Sequence, residues 1–281
     1  MKELSFTVAP DEDGVLIRYV LKRHGFSSNL IKQVKYGGVS KNGIVVRMRE
    51  ILHTGDVVHV LFPEKRSEHV TPADLPLRVL YEDDCLLAVD KPTGMPTHPS
   101  RGNHLPTLAG AVAGYFAPAP FVFRALTRLD RDTGGIVLIA KDAYAAELLG
   151  KSLRDGAFVK EYIARVVGVP SPAEGRISAP IGREAPDAMR RTVRPDGKPA
   201  VTDYKTETVL PDGTAIVRLR LHTGRTHQIR VHMASVGHPL FADALYGKEI
   251  AGETYLLRCV RLSFPHPLDG HTVTVTAEER K

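Results

Sequence analysis

The chain reads as an α+β protein: a mixed, mainly antiparallel β-sheet domain preceded by a small basic helical module. Three observations lead there. Short apolar runs recur between turn signals from Val79 onward. Helical periodicity in that region is confined to two stretches. Positive charge is concentrated near the N-terminus, where Gly14 to Arg66 carries ten Lys and Arg against Glu50, Asp56 and Glu64, in a chain of net charge +6. Its 281 residues suffice for about two domains.

Within the basic block, Ile17, Val20, Leu21 and His24 follow helical spacing, and Gly25 is placed to end the helix. Ser27 or Ser28 can cap a second short helix carrying Leu30, Ile31 and Val34, closed by Gly37. Asn42-Gly43 is a strong hairpin signal between Val39 and the Ile44 to Val46 run. Gly55-Asp56 leads a final strand, Val57 to Phe62. Lys22, Arg23, Lys32 and Lys35 can then occupy the outer helix faces. A compact basic unit of this kind suits a polyanion such as nucleic acid. Solubility is the alternative reading of the charge.

The predicted boundaries are a module over 1–66, a linker over 67–78 with two prolines, and a second domain over 79–281. Its strands are expected at Leu86 to Val89, Ile136 to Ala140, Tyr162 to Val167, Val217 to Leu221 and Val273 to Val275. Helices are expected around Ala143 to Leu153 and Gln228 to Val236. No apolar stretch approaches the roughly 18 residues of a membrane span. Cys85 and Cys259 are the only cysteines and sit in strand-like runs, so both are expected as buried thiols in a cytoplasmic protein.

Two segments carry candidate chemistry. The first is Arg128-Leu129-Asp130-Arg131-Asp132-Thr133-Gly134-Gly135, a charged turn feeding an apolar strand. Such a turn fixes a reactive side chain at a cleft; a surface loop of mutually paired charges is the alternative. The second is His222 to His232. Here Val217, Leu219 and Leu221 alternate with Arg218, Arg220 and His222, Gly224 turns the chain, and Thr226 can cap a helix with Ile229, Met233 and Val236 inward. Arg230 falls in the first helical turn, where a cation opposes the helix dipole, which implies an anionic partner. No metal site is expected. His227 and His232 are five apart rather than four and lack cysteine neighbours, and Lys141 stands where a calcium loop needs glutamate.

The chain resembles the RluA family of pseudouridine synthases. Arg128 to Thr133 resembles that family's first motif, Lys160-Glu161-Tyr162-Ile163-Ala164 its second, and Gly224 to His232 its third. Supporting matches are Val89 to Pro96, Gly197 to Thr202 and Ser263 to Pro267, in the expected order. The stretch from about Val15 to Phe62 resembles the α-L RNA-binding module of a ribosomal protein. Two positions depart from the family: Thr127 where histidine is frequent, and Gly134 where serine is frequent.

The resemblance implies an isomerase that detaches uracil from ribose, rotates it and rejoins it through carbon, without a cofactor. It makes Asp130 the essential carboxylate, whether by attacking the anomeric carbon, adding to the base or taking a sugar proton. Arg230 is expected to pair with Asp130, and Tyr162 to pack on the target base, a core or strand aromatic being its alternative. Arg128 is expected to fill the gap left by a flipped nucleotide, a salt bridge to Asp132 being its alternative. Arg225 and His227, with Lys22, Arg23, Lys32 and Lys35, are expected to contact RNA. Arg183, Arg190, Arg191 and Arg194 read as further phosphate contacts. The expected partner is structured RNA, ribosomal before transfer, bound by a monomer without membrane or metal. The competing class is a non-catalytic RNA-binding or ribosome-assembly protein that keeps the fold. A glycoside or nucleotide hydrolase would want a second carboxylate, and Asp132 is too close in sequence to supply it.

Overall fold

The computed structural model describes residues 2–62, 70–99, 106–119 and 121–279. The N-terminal part contains β1 (Lys2–Thr7), α1 (Ile17–Arg23), α2 (Ser28–Val34), β2 (Val39–Lys41), β3 (Ile44–Val45) and β4 (Val57–Phe62). The strands form a sheet in the order β1-β4-β2-β3. Ser27 caps α2 by accepting from the Leu30 amide at 3.1 Å. Asn42 and Gly43 both take positive φ in the tight β2–β3 turn. Ile17, Val20, Leu21, Leu30 and Val34 face Val58 and Val60 in a separate small core. The helices and hairpin match the sequence reading. β1 was not anticipated, yet it pairs with β4 along its whole length.

The second part contains β5 (Val79–Glu82), β6 (Leu86–Lys91), α3 (Leu108–Tyr115), β7 (Arg124–Ala125), β8 (Gly134–Ala140), α4 (Ala143–Arg154), β9 (Val159–Val166), β10 (Glu174–Ser178), β11 (Ile181–Arg183), β12 (Arg191–Val193), β13 (Val201–Val209), β14 (Ala215–Leu221), α5 (Gln228–Ser235), β15 (Leu257–Pro265) and β16 (Thr272–Thr276). Among the described residues one large sheet runs β10-β13-β14-β9-β15-β8-β6-β5, with β16 on β15 and β7 on β8. Its pairings are antiparallel except β8 with β15. The predicted mixed, mainly antiparallel α+β class is therefore the observed one. Every residue of β6 and of β8 is buried, including the charged pair Asp90-Lys91 that ends β6. No helix among the described residues is long and apolar enough to cross a membrane.

Gly135 makes the β8–β15 contact possible. It holds φ +102°, and a side chain there would meet the Cys259 backbone at 2.2 Å. The loop carrying Asp130 thus enters a strand pressed against the middle of the sheet. Both cysteines are buried free thiols.

Two expectations about the boundary change. Ser67 to His69 of the predicted linker lie outside the described residues, but 71–75 is packed rather than loose. The Ala73 amide donates to the Gly110 carbonyl at 2.9 Å, on the α3 helix that the sequence reading did not identify. A Cβ at Gly110 would stand 3.0 Å from the Thr71 carbonyl, and one at Gly114 2.2 Å from that of Ala73. These glycines, one turn apart, form the groove that holds the segment. A linker between two domains implies few contacts across it; instead Tyr144 of α4 reaches the N-terminal part. Its hydroxyl donates to the His24 carbonyl at 2.6 Å, and its ring lies 4.8 Å from that of Phe26.

Candidate active site

The loop 127–133 is fixed chiefly through its backbone. The Thr127 hydroxyl accepts from the Leu138 amide at 2.9 Å, which ties the loop to β8. Thr97 donates to the Leu129 carbonyl at 2.8 Å. The Thr133 amide closes a turn on the Asp130 carbonyl. Lys91, wholly buried at the end of β6, donates to the carbonyls of Pro92, Met95 and Arg131. Burial pushes its ammonium down to about 8, against the opposing pull of Asp132 and Asp130. The tether at Arg131 leaves its neighbour Asp130 little freedom.

Two guanidiniums divide the local carboxylates. Arg131 makes a two-pronged pair with Asp132, both bonds at 2.9 Å. Arg230 makes another with Asp243, both at 2.7 Å and both side chains buried. The expected Arg230–Asp130 ion pair is therefore not formed. Asp243 is the better partner because the amides of Leu245 and Tyr246 already orient its Oδ1. The anionic partner implied by a cation in the first turn of α5 exists, but it is Asp243. Arg230 is also flanked by the rings of Tyr246 at 4.9 Å and Tyr255 at 4.6 Å.

Asp130 keeps about a third of its side-chain surface and meets His227, whose Nε2 stands 3.8 Å from Oδ2. His227 precedes α5 with φ +57°, so it, and not Thr226, is the N-cap. Its Nδ1 lies 2.8 Å from the Tyr246 hydroxyl oxygen, which already accepts the Arg191 amide. In the tautomer in which the hydroxyl donates to Nδ1, the proton of a neutral imidazole sits on Nε2, facing Asp130. Burial lowers the His227 pKa, Arg230 and Arg191 add to that, and Asp130 opposes it.

Tyr162 lies on β9 opposite Cys259 of β15. Burial raises its phenol well above the usual value, and the neighbouring Cys259 adds to this, so it remains a protonated ring surface. Gln228 sets the turn before α5. Its oxygen accepts from Thr223 and the Arg225 amide, and its nitrogen donates to Val201 and Thr202. His232 is buried between Thr202 and the Ala179 carbonyl. Ile229 and Met233 face inward as expected, whereas Val236 is 43% exposed because α5 ends before it.

Asp130, Tyr162, Arg230, Arg128, Arg225 and His227 all line one cavity of about 580 Å³. Arg128 is exposed, and its alternative partner Asp132 is taken by Arg131. Arg225 donates to the Pro199 carbonyl. Lys22, Arg23, Lys32 and Lys35 are exposed on the module and do not line this cavity. Arg183, Arg190, Arg191 and Arg194 lie on and beside the β11–β12 hairpin, where Glu184 pairs with Arg190 and Asp196 with Arg194. The sequence reading gave no role to Lys91, Asp243, Tyr246 or Tyr255. Lys91 was within a quoted motif; the other three follow α5 in a stretch without periodicity.

A family model described as RNA pseudouridylate synthase matches residues 85–235. "Uncharacterized RNA pseudouridine synthase YjbO" of Bacillus subtilis is 38% identical over 252 residues, covering 87% of this chain and 88% of the relative. "Ribosomal large subunit pseudouridine synthase D" of Xanthomonas campestris is 36% identical over 267 residues, covering 89% and 80%. Among solved structures, Human RNA Pseudouridylate Synthase Domain Containing 1 superposes with TM-score 0.63 at 26% identity, covering 74% of this chain and 85% of that one. Fold, cavity and relatives agree, and the chain belongs to the RNA pseudouridylate synthase family of isomerases, of the RluA type.

Proposed function

We propose that this protein converts uridine to pseudouridine in large-subunit ribosomal RNA, with Asp130 as the reacting carboxylate and residues 1–66 as an α-L-type RNA-binding module. The target class rests on the relatives named for the ribosomal large subunit. One observation carries the site: Asp130 is the sole carboxylate among the described residues lining the cavity, and its neighbours Asp132 and Asp243 are both spent on arginines. That also disfavours a two-carboxylate hydrolase.

In the reaction the bond from ribose C1′ to uracil N1 breaks, the base turns, a bond from C1′ to uracil C5 forms, the C5 proton leaves to water and N1 takes a proton up, so the mass is unchanged. Asp130 supplies the negative group, Tyr162 the flat surface for the base. The Nε2–H of His227 steadies the carboxylate without neutralising it. The uridine must leave its stack to reach this cavity, at a cost of a few kcal/mol, and Arg128 at the rim is free to occupy the space it vacates. The exposed cations of the module add phosphate contacts at a distance from the cavity.

The test uses total RNA labelled with tritium at uracil C5, taken from a strain lacking the gene. Wild-type protein should release tritium to water, and mapping should place the new pseudouridine in large-subunit ribosomal RNA. Release confined to transfer RNA, or release by Asp130→Asn equal to wild type, would overturn the reading.

A further inference from the structure

The cations lining the cavity can be accounted for one by one. Arg131 is bound to Asp132, Arg230 to Asp243, and Arg225 to the Pro199 carbonyl. Arg128 is exposed at the rim. Lys160 remains. It lines the cavity, is only partly exposed, and no described residue accepts a hydrogen bond from its ammonium. It precedes Tyr162 by two positions on β9, so both side chains leave the same face of the strand. Glu161 points the other way, towards Arg218 and Arg261. Gly224 lines the cavity as well, and a Cβ built there would stand 3.6 Å from Lys160 Nζ, which places the ammonium beside the third motif.

A cation in this position is incomplete. Burial pulls its pKa below the ordinary lysine value, and no carboxylate or carbonyl offsets the lost water. The missing partner is an anion that arrives with the substrate. RNA offers a full negative charge at its phosphates and only partial charge at the uracil oxygens. Two residues along a strand span roughly 7 Å, comparable with the reach from a base to its own backbone. Resting on the reading of this cavity as the uridine site, we propose that Lys160 grips a backbone phosphate adjoining the target uridine while the base lies against Tyr162. Lys160 is then a substrate-positioning residue, distinct from the distant phosphate contacts of the module.

The experiment compares full-length wild type, Lys160→Met and Lys160→Arg on tritium-labelled total RNA from the deletion strain, across a series of KCl concentrations. Met keeps the stem and removes the charge; Arg keeps the charge. Lys160→Met should lose about tenfold or more in kcat/KM, mainly through KM. Its plot of log kcat/KM against log salt should be shallower by roughly 0.7–0.9, the amount expected for one phosphate contact. Lys160→Arg should keep most of the wild-type slope. A second arm leaves the protein intact. Short RNAs carrying the mapped uridine bear a neutral methylphosphonate on its 5′ or its 3′ side. At one of these sides wild type should fall to the level of Lys160→Met, and Lys160→Met should fall no further. An unchanged salt slope with a loss in kcat alone would place the ammonium on uracil and overturn the proposal. So would a further loss by Lys160→Met on both neutral RNAs. Asp130→Asn run in parallel separates the two readings: Asp130-dependent release with an unmoved Lys160→Met slope sinks only the phosphate grip.

Discussion

Lys22, Arg23, Lys32 and Lys35 stand in solvent on the helices of the N-terminal part, whereas Lys91, Arg230 and Arg258 are buried in the second part. The residue types are the same and their physics differs. In the module, Lys35 rests over the ring of Tyr36 and Arg23 donates to the Asp11 carbonyl, contacts that water can replace. Each of these three buried cations has a specified acceptor: three carbonyls for Lys91, Asp243 for Arg230, and Asp90 at 2.5 Å for Arg258. Exposed pairs contribute at most about 1 kcal/mol, whereas breaking a buried pair costs roughly 3–5 kcal/mol. The exposed charges of the N-terminal part are thus interchangeable as far as stability goes. The three buried cations fix positions and cannot be exchanged singly.

The strongest test of this contrast is at Asp130, a charge whose loss should remove chemistry while leaving the fold. Asp130→Asn should lower tritium release by about three orders of magnitude or more. RNA affinity by filter binding and the unfolding midpoint should stay near wild type. A large fall in the midpoint would mean that Asp130 belongs with the structural charges.

Arg230 comes next, and here structure and activity should fall together. Arg230→Ala strands the Asp243 carboxylate in a buried site, so urea unfolding should register a loss of about 3–5 kcal/mol. Arg230→Lys keeps the charge but not the two-pronged geometry and should lie between. The activity loss follows from a displaced α5 and His227, not from an unpaired Asp130. Wild-type stability in an inactive Arg230→Ala would return Arg230 to direct chemistry.

Replacing Lys22, Arg23, Lys32 and Lys35 together by alanine should do the reverse. Each change should move stability by less than about 0.5 kcal/mol. The salt dependence of RNA binding should flatten by roughly three, if most of the four meet a phosphate. This substitution probes the module more cleanly than deleting it, because deletion would bare the Tyr144 ring that packs on Phe26. An unaltered salt slope would remove the module's helix faces from the RNA interface.

The same contrast explains what was legible in the sequence. The module's helices and hairpin could be read because capping and turn residues act locally: Ser27 and Asn42-Gly43 do in the structure what their neighbours require. Asp130, Tyr162 and Arg230 were found because each lies in a motif that resembles one of the RluA family, and all three do line one cavity. The partner of Arg230 was misread because an ion pair depends on which carboxylate the fold brings close, and Asp243 is thirteen residues away in a loop. β1 and α3 escaped for a related reason. β1 is defined by its partner β4, and the small residues of α3 make sense only under the strand-like segment at Ala73. Lys91 was visible as a letter, but its burial under three carbonyls was not.

The smallest expected effect is the most local, the titration of His227. Its folded pKa is depressed, so the unfolded chain takes up the proton first as pH falls. The stability His227 contributes is therefore present above the unfolded value, about 6.5, and is lost as pH drops through the folded one. Burial is the first cause, and Arg230 and Arg191 add to it, while Asp130 is the one near charge that counters it besides Asp243. Asp130→Asn removes a counterweight, so the His227 pKa should fall further. Arg191→Ala removes a repelling cation and should raise it. Both shifts can be followed by NMR on the imidazole Cε1–H. If Asp130→Asn instead raised the His227 pKa, the carboxylate would not be acting on the imidazole across 3.8 Å. The steadying contact assigned to Nε2–H would then have to be withdrawn.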